Sequence, residues 1–463
     1  MNKRFSRRDF LKLAGGATLT VAGATLLPQF LRKTLLPESV ATAAGDYDLF
    51  FAGTDGWFYL PSDPPGTIPP MVNTPYHPDL LAEDPFTTYI FGFRNVGGMT
   101  DLQRQNQKMK AQHNAPFFWL DQFDPDNPKD FKMQLTNLGL QLRPDLTDAH
   151  TLHWHGFRNV IPFFDGEPSG SVSVPVGQYF TYVYRPRDPG TYMYHCHVED
   201  IEHVTMGMTG IVFVRPLQNG QNIGGFTKFA YNDGDGSTGY HREFAMFLSE
   251  IWLLGHWNDA HIQESQWYNF KADFSLLNGR VFPDTLLPNS PIDLAQSNNV
   301  LHIQTDDNGD LVTNPGSEHL QYQPHSALIT CNAGDQVLLR FANLGFREAS
   351  MTLAGINMRV VGRDATPMRG RSPDGGVTPG ADTSYETDTL LMGAGESFDA
   401  IFTAPAYQGP GPYDTYVLFN RRYTQDDDTA AGTQGQRTEV RVYPAGTLGD
   451  QQYLNQHPDD TVA

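Results

Sequence analysis

Apolar and polar residues alternate with a period of two along much of the chain. Phe131-Lys-Met-Gln-Leu-Thr136 and Tyr179-Phe-Thr-Tyr-Val-Tyr184 are clear cases, bounded by Gly, Pro or Asp turns, and both read as half-buried β-strands. Long amphipathic helical patterns are scarce. The pattern also repeats: Phe131-Lys-Met-Gln-Leu-Thr-Asn137-Leu-Gly139 matches Val337-Leu-Leu-Arg-Phe-Ala-Asn343-Leu-Gly345, and Val174-Pro-Val-Gly177-Gln-Tyr-Phe180 matches Met392-Gly-Ala-Gly395-Glu-Ser-Phe398. An all-β chain with two related β-sandwiches is expected, which a length of 463 residues accommodates.

The expected organisation follows from these landmarks. Residues 1–43 carry Ser6-Arg7-Arg8-Asp9-Phe10-Leu11-Lys12, an apolar run from Leu13 to Leu27, and the small-residue site Ala41-Thr42-Ala43, the make-up of a twin-arginine export signal that is removed. The first domain spans 44–216, with an aromatic, Pro-rich N-terminal extension that supplies its opening strands. Residues 217–240 are dense in Gly, Asn and Asp and read as a linker. A second domain covers 241–446 and a tail 447–463. Twin-arginine export predicts a periplasmic, cell-surface or extracellular protein. Removing the signal takes the net charge from −20 to −25. Such an acidic surface argues against nucleic acid and anionic membranes as partners and favours a cationic donor or plain solubility.

Candidate chemistry sits in two short blocks. His150-Thr-Leu-His153-Trp-His155-Gly156 places imidazoles in an H-x-x-H-x-H-G pattern, and His195-Cys196-His197 is followed by His203, Met206 and Met208. On a strand, side chains two apart share a face, so His153 pairs with His155 and His195 with His197, while Cys196 points the other way. His150, at odd spacing from His153, can join Cys196, and His203 and Met208 on the following loop complete that second set. A thiolate, two imidazoles and a thioether suit a blue-copper electron-transfer centre, and imidazoles alone suit further copper. Zinc would use only four of these groups and leave the remaining imidazoles unexplained. The other cysteine, Cys331, reads as a buried structural thiol. No nucleophile triad, phosphate loop or Cys-x-x-Cys pair competes.

These blocks resemble the ligand pattern of the multicopper oxidases, the laccases and two-domain blue copper oxidases. The resemblance implies two cupredoxin-like (plastocyanin-like) Greek-key β-sandwich domains. It assigns His150, Cys196, His203 and Met208 to type 1 copper, His153 to type 2, and His155, His195 and His197 to the type 3 pair. Met208 is preferred to Met206 because the family's loops place the axial thioether about five residues after the loop histidine. Asp165-Gly166 resembles the family's Asp-Gly, whose carboxylate delivers protons to reduced oxygen; its plain reading is a turn. The implied donors are a small molecule, a metal ion or a redox protein, the implied acceptor is oxygen, and the implied assembly is a homotrimer. Glu199 and Asp200, in the type 1 loop, either steer the donor or are solvated.

The second half departs from the family. The repeat lays Ala349-Ser-Met-Thr352-Leu-Ala354-Gly355 on the histidine block, no His occurs between 326 and 456, and the region Gly411 to Phe419 has neither His nor Cys. The family's trinuclear cluster takes eight imidazoles from two domains; here one domain offers four. His241, His256, His261, His319 and His325 are spare histidines, with His256 and His261 read as surface-loop residues; His77 and His113 fall in the extension. Two functions compete. One is an exported copper oxidoreductase. The other is a type 1 electron-transfer or copper-binding protein without oxidase activity. Nitrite reduction resembles this chain less, because such reductases lack imidazoles at the positions of His153 and His197.

Overall fold

The computed structural model of the chain describes residues 47–61, 79–296, 299–373, 379–422 and 435–463. The twin-arginine segment, residues 1–43, and His77 lie outside the described residues.

The first sandwich uses β1 (Leu49–Phe58), β2 (Thr88–Asn95), β3 (Phe118–Asp121), β4 (Phe131–Gly139), β5 (His153–His155), β6 (Tyr179–Tyr184), β7 (Gly190–His195) and β8 (Thr209–Arg215). They form two four-stranded sheets, ordered β2-β1-β4-β6 and β3-β8-β7-β5. The Pro-rich stretch before residue 130 thus supplies three strands of this sandwich. The second sandwich contains β9 (Arg242–Ile251), β10 (Phe274–Leu277), β11 (Ile329–Asn332), β12 (Gln336–Asn343), β13 (Ala349–Leu353), β14 (Met358–Arg363), β15 (Thr366–Pro367), β16 (Tyr385–Thr387), β17 (Thr389–Met392), β18 (Ser397–Thr403), β19 (Asp414–Asn420) and β20 (Arg437–Tyr443). Its sheets run β10-β9-β12-β18-β14-β15, with β16 on β14, and β11-β20-β19-β13-β17.

Leaving aside the added edge strands, both sandwiches have the same order, and each has its parallel pairs in the same places, β1 with β4 and β9 with β12, β3 with β8 and β11 with β20. The repeat extends to single hydrogen bonds. Asn137 Nδ2 donates to the carbonyls of Asp148 and Val174 while its Oδ1 accepts from Gly139 N. Asn343 does the same with Arg347, Met392 and Gly345. The chain is all-β, with two cupredoxin-like sandwiches.

Alternation on β5 and β7 sets where chemistry can stand. Trp154, between two histidines, turns into the first core and stacks on Tyr184 with ring centroids 4.1 Å apart. Its truncation to Ala would cost about 3–5 kcal/mol. Tyr192, Tyr194 and Cys196 also face that core, whereas Met193 joins a second cluster in which Phe117, Trp119, Ile211 and Phe213 pack against Ala245, Phe247 and Ala342 of the second sandwich. Residues in step with Met193 therefore face the second domain.

A buried ionic network ties the domains together. Arg340 Nε lies 2.7 Å from Glu243, its Nη1 3.1 Å from Asp399, and Arg215 Nη2 2.8 Å from Glu243. Thr191 of β7 donates its hydroxyl to Asp399 at 2.6 Å. Removing one partner of such a network leaves an uncompensated buried charge, a loss of about 3–5 kcal/mol. The Gly-rich segment 217–240 is fastened to this network, since Tyr231 donates its hydroxyl to the same Asp399 and Asp233 accepts from Gln218 and Gly236. The tail is fastened too. Asn455 exchanges hydrogen bonds with both backbone groups of Ala245 on β9.

Candidate metal centre

Cys196 follows the last residue of β7 and is fully buried. His203 Nδ1 lies 3.2 Å and His150 Nδ1 3.9 Å from its sulfur. His150 comes from the segment before β5, held by an isolated bridge to Val174. His203 lies on a short helix, α1 (Asp200–Met206), that returns the chain to β8. Met208 closes this loop: Cys196 N donates to Met208 O, and Met208 N to His203 O. Gly53 of β1 leaves room for the site, since a Cβ there would stand 2.7 Å from the His150 ring and 3.2 Å from the Met208 methyl. Burial pushes the Cys196 thiol up, but His150 and His203 outweigh it and bring it down to about 5. A backbone N–H, from Thr151, also points at the sulfur. These conditions favour the thiolate that a soft metal binds.

The outer nitrogen of His203 faces an acidic group that the sequence did not single out. Asp148 Oδ2 lies 3.9 Å from Nε2, a Coulombic contact rather than a hydrogen bond. Burial opposes charge on His203, yet Asp148 and Cys196 together raise it to about 10. Asp148, Glu199 and His203 bring one ligand atom each within 4.8 Å of one another. The signal available in the sequence was Asp148 two residues before His150, which same-face spacing would have placed beside it.

The second site stands on the other face of the β5–β7 pair, where His153 and His195 are directly cross-strand. His153, His155 and His195 each bring a ring nitrogen within 4.8 Å of the others. His197 flanks the set, its ring centroid 4.9 Å from that of His153. His153 Nδ1 donates to the Asp165 carbonyl and His195 Nδ1 to the Cys196 carbonyl, both at 2.8 Å, which leaves each Nε2 free for a metal. Burial lowers all three imidazoles, His195 to about 3, so they are neutral donors at ordinary pH. Asp165 contributes mainly through its carbonyl; its carboxylate stands 3.6 Å from the same His153 nitrogen. Gly166 is a tight turn as well, with φ +77° and its Cα face against Leu152 O.

The spare histidines stand elsewhere. His256 lies on α2 (Leu253–Ala260), fully buried, with Nδ1 donating to Tyr89 O. The surface-loop reading of this residue is thus corrected: the short helix is held by packing against the first domain. His261 pairs with Asp79 at 2.8 Å and His319 with Asp284 at 3.4 Å. His325 stacks on Phe117, His113 touches Ser249, and His241 accepts from Gln336 N.

The residues fit copper at both sites, but they do not fit an eight-imidazole cluster. Register places Phe419 opposite Thr352 where the first domain has His195 opposite His153, so Phe419, Asn420 and Arg421 stand in place of the His-Cys-His tripeptide.

Comparison with known proteins agrees with this geometry. Residues 133–219, which contain every proposed ligand, match the multicopper oxidase family model. A laccase-like multicopper oxidase of Thermothelomyces thermophilus is 42% identical over 59 residues, which is 12% of this chain and 9% of that protein's length. The solved structure of the multicopper oxidase mgLAC aligns over 89% of this chain and 90% of its own, with 20% identity and a TM-score of 0.50, a likeness of fold. Copper is the cofactor of this family, whose model residues 133–219 match.

Proposed function

We propose that the chain is an exported copper oxidoreductase of multicopper-oxidase type. Single electrons enter at the centre held by His150, Cys196, His203 and Met208, and reach a small oxidant, oxygen, at the centre lined by His153, His155, His195 and His197. The observation that carries this reading is that neighbours on one strand serve both sites. Cys196 faces the core and His195 the second domain, and the His195 imidazole donates to the Cys196 carbonyl. Copper on a thiolate with two imidazoles and a thioether supplies a one-electron acceptor. The protein excludes water from it, because His150, Cys196, His203 and Met208 are all fully buried.

Donors would dock at the surface over the buried His203, where Glu199 is exposed and Asp148 half-buried. The carboxylates of Asp148 and Glu199 beside it favour a cation, whether a metal ion or a basic redox protein. Asp165, next to His153, is the candidate for moving protons at the second site. The twin-arginine segment supports the export of a folded, metal-loaded protein.

The rival reading is a type 1 electron carrier, favoured by Thr352, Ala354, Phe419 and Arg421 standing in the second domain where His153, His155, His195 and His197 stand in the first. His155→Ala separates the two. In an oxidase this variant loses oxygen consumption with a donor and keeps its blue absorption. Equal oxygen consumption by the native and variant proteins, or none by either with copper and a range of donors, would leave the carrier as the better account.

A further inference from the structure

We infer that His153, His155 and His195 form a mononuclear, all-nitrogen copper site that is complete within one chain, in place of a three-copper cluster. The inference rests on the copper oxidoreductase reading and adds the nuclearity of the second site.

Three observations carry it. Convergence comes first: one ring nitrogen from each of the three residues lies within 4.8 Å of the other two, and the ring centroids are 5.2 to 6.2 Å apart. With metal–nitrogen distances of about 2.0–2.1 Å, three donors on one ion stand about 3–4 Å apart, so a small inward movement closes a tripod. Orientation is the second: the Asp165 and Cys196 carbonyls fix the tautomers of His153 and His195, so that both Nε2 atoms are donors.

The third is what surrounds the tripod. The tip of His155 is covered by the turn between β17 and β18 of the same chain, where a Cβ built on Gly395 would lie 2.9 Å from Nε2. Gly395 has φ +80° and its N–H is spent on the Asn343 carbonyl, so the turn offers backbone and no ligand. The turn leaves no room there for a further ion, and the carboxylate that acts on His155 from that side, Asp364, accepts a hydrogen bond from Ser397 N. On the other side His197 is the one further imidazole among the described residues, with the Asp165 carboxylate 3.6 Å from His153, and a single imidazole does not complete a second all-nitrogen site. The second domain therefore walls the site where it lacks the histidines to extend it.

The test is to load the full-length protein with Cu(II), count copper per chain and integrate the paramagnetic resonance spectrum. Two copper ions per chain are expected, both paramagnetic. One should show the narrow splitting of copper on thiolate and the other the broad splitting of copper on nitrogen. His155→Ala should lose one copper and only the second signal. Retention of the narrow signal in His155→Ala separates ligand loss from misfolding. More than two copper ions per chain, copper in excess of spins as in a coupled pair, one copper with only the narrow signal, or retention of both copper ions in His155→Ala would each overturn the mononuclear site. Absence of the narrow signal alone would instead overturn the type 1 assignment and leave this site standing.

Discussion

The two sandwiches hold the same frame around different contents. Asn137 and Asn343 make the same hydrogen bonds, and the bridge between His150 and Val174 recurs as the pairing of Ala349 with Met392. Yet His150 is replaced by Ala349 in the second core, Trp154 by Leu353, and the cross-strand pair of His153 and His195 by Thr352 and Phe419. The cysteines show the same contrast. Imidazoles bring Cys196 down to about 5, whereas burial, with Asp335 adding to it, pushes Cys331 up to about 12. The sandwich is thus a neutral carrier. The proposed copper chemistry would come from a few side chains on it, and a set without imidazole or thiolate fills the same places.

The comparison breaks most sharply at the cysteines. Cys196→Ser should abolish the strong blue absorption of the copper-loaded protein, since a hydroxyl is a poor substitute for a thiolate. Cys331→Ser should leave the visible spectrum unchanged. Blue colour surviving in the first variant would rule out this centre.

Acid should act on both halves, because buried neutral histidines are spread over both. His113, His195 and His325 are lowered to about 3, and His256 and His457 to about 4, by burial first of all. A histidine whose folded value lies below its unfolded value of about 6.5 adds stability in full above pH 6.5. That stability is lost as pH falls toward the folded value, by up to about 1.4 kcal/mol per pH unit for each group. The denaturation midpoint of the metal-free protein should therefore fall steeply between pH 6.5 and 4. A flat midpoint over that range would mean that these rings are not held neutral.

Core truncation at matched positions should separate stability from metal binding. Trp154→Ala should cost about 3–5 kcal/mol and Leu353→Ala about 2–5 kcal/mol, read as shifts in denaturant midpoint. Only the first should lower copper content, because Trp154 fixes the direction in which His153 and His155 point.

The candidate copper ligands were legible because they are local. H-x-H on a strand and Cys next to His carry their geometry in a period of two, and the repeat showed which positions in the second half correspond. Long-range features were not legible. Asp148 reaches His203 only when α1 folds back over the segment before β5. The helix α2 contains Gly255, Asn258 and Asp259, which are poor helix formers, and forms against β2 of the first domain. Segment 217–240 and the tail look slack because they are polar, but side chains such as Asp233 and Asn455 bond to buried backbone. Composition does not reveal where such bonds end.

The smallest effect tests the alignment itself. Thr352 occupies the place of His153, and its hydroxyl meets that of Thr389 at 2.8 Å. Thr352→Ala removes that hydrogen bond, about 1 kcal/mol, and should leave the copper count unchanged. Ala354, in the place of His155, is exposed, so Ala354→Val should shift stability by no more than about 0.5 kcal/mol. His153→Ala, the matching change in the first domain, should remove copper from the second site. If instead the Thr352 and Ala354 variants lose copper, the second sandwich takes part in metal binding and the correspondence between the halves is drawn wrongly. An unchanged count in both, alongside the loss in His153→Ala, places the chemistry in one half of a duplicated frame.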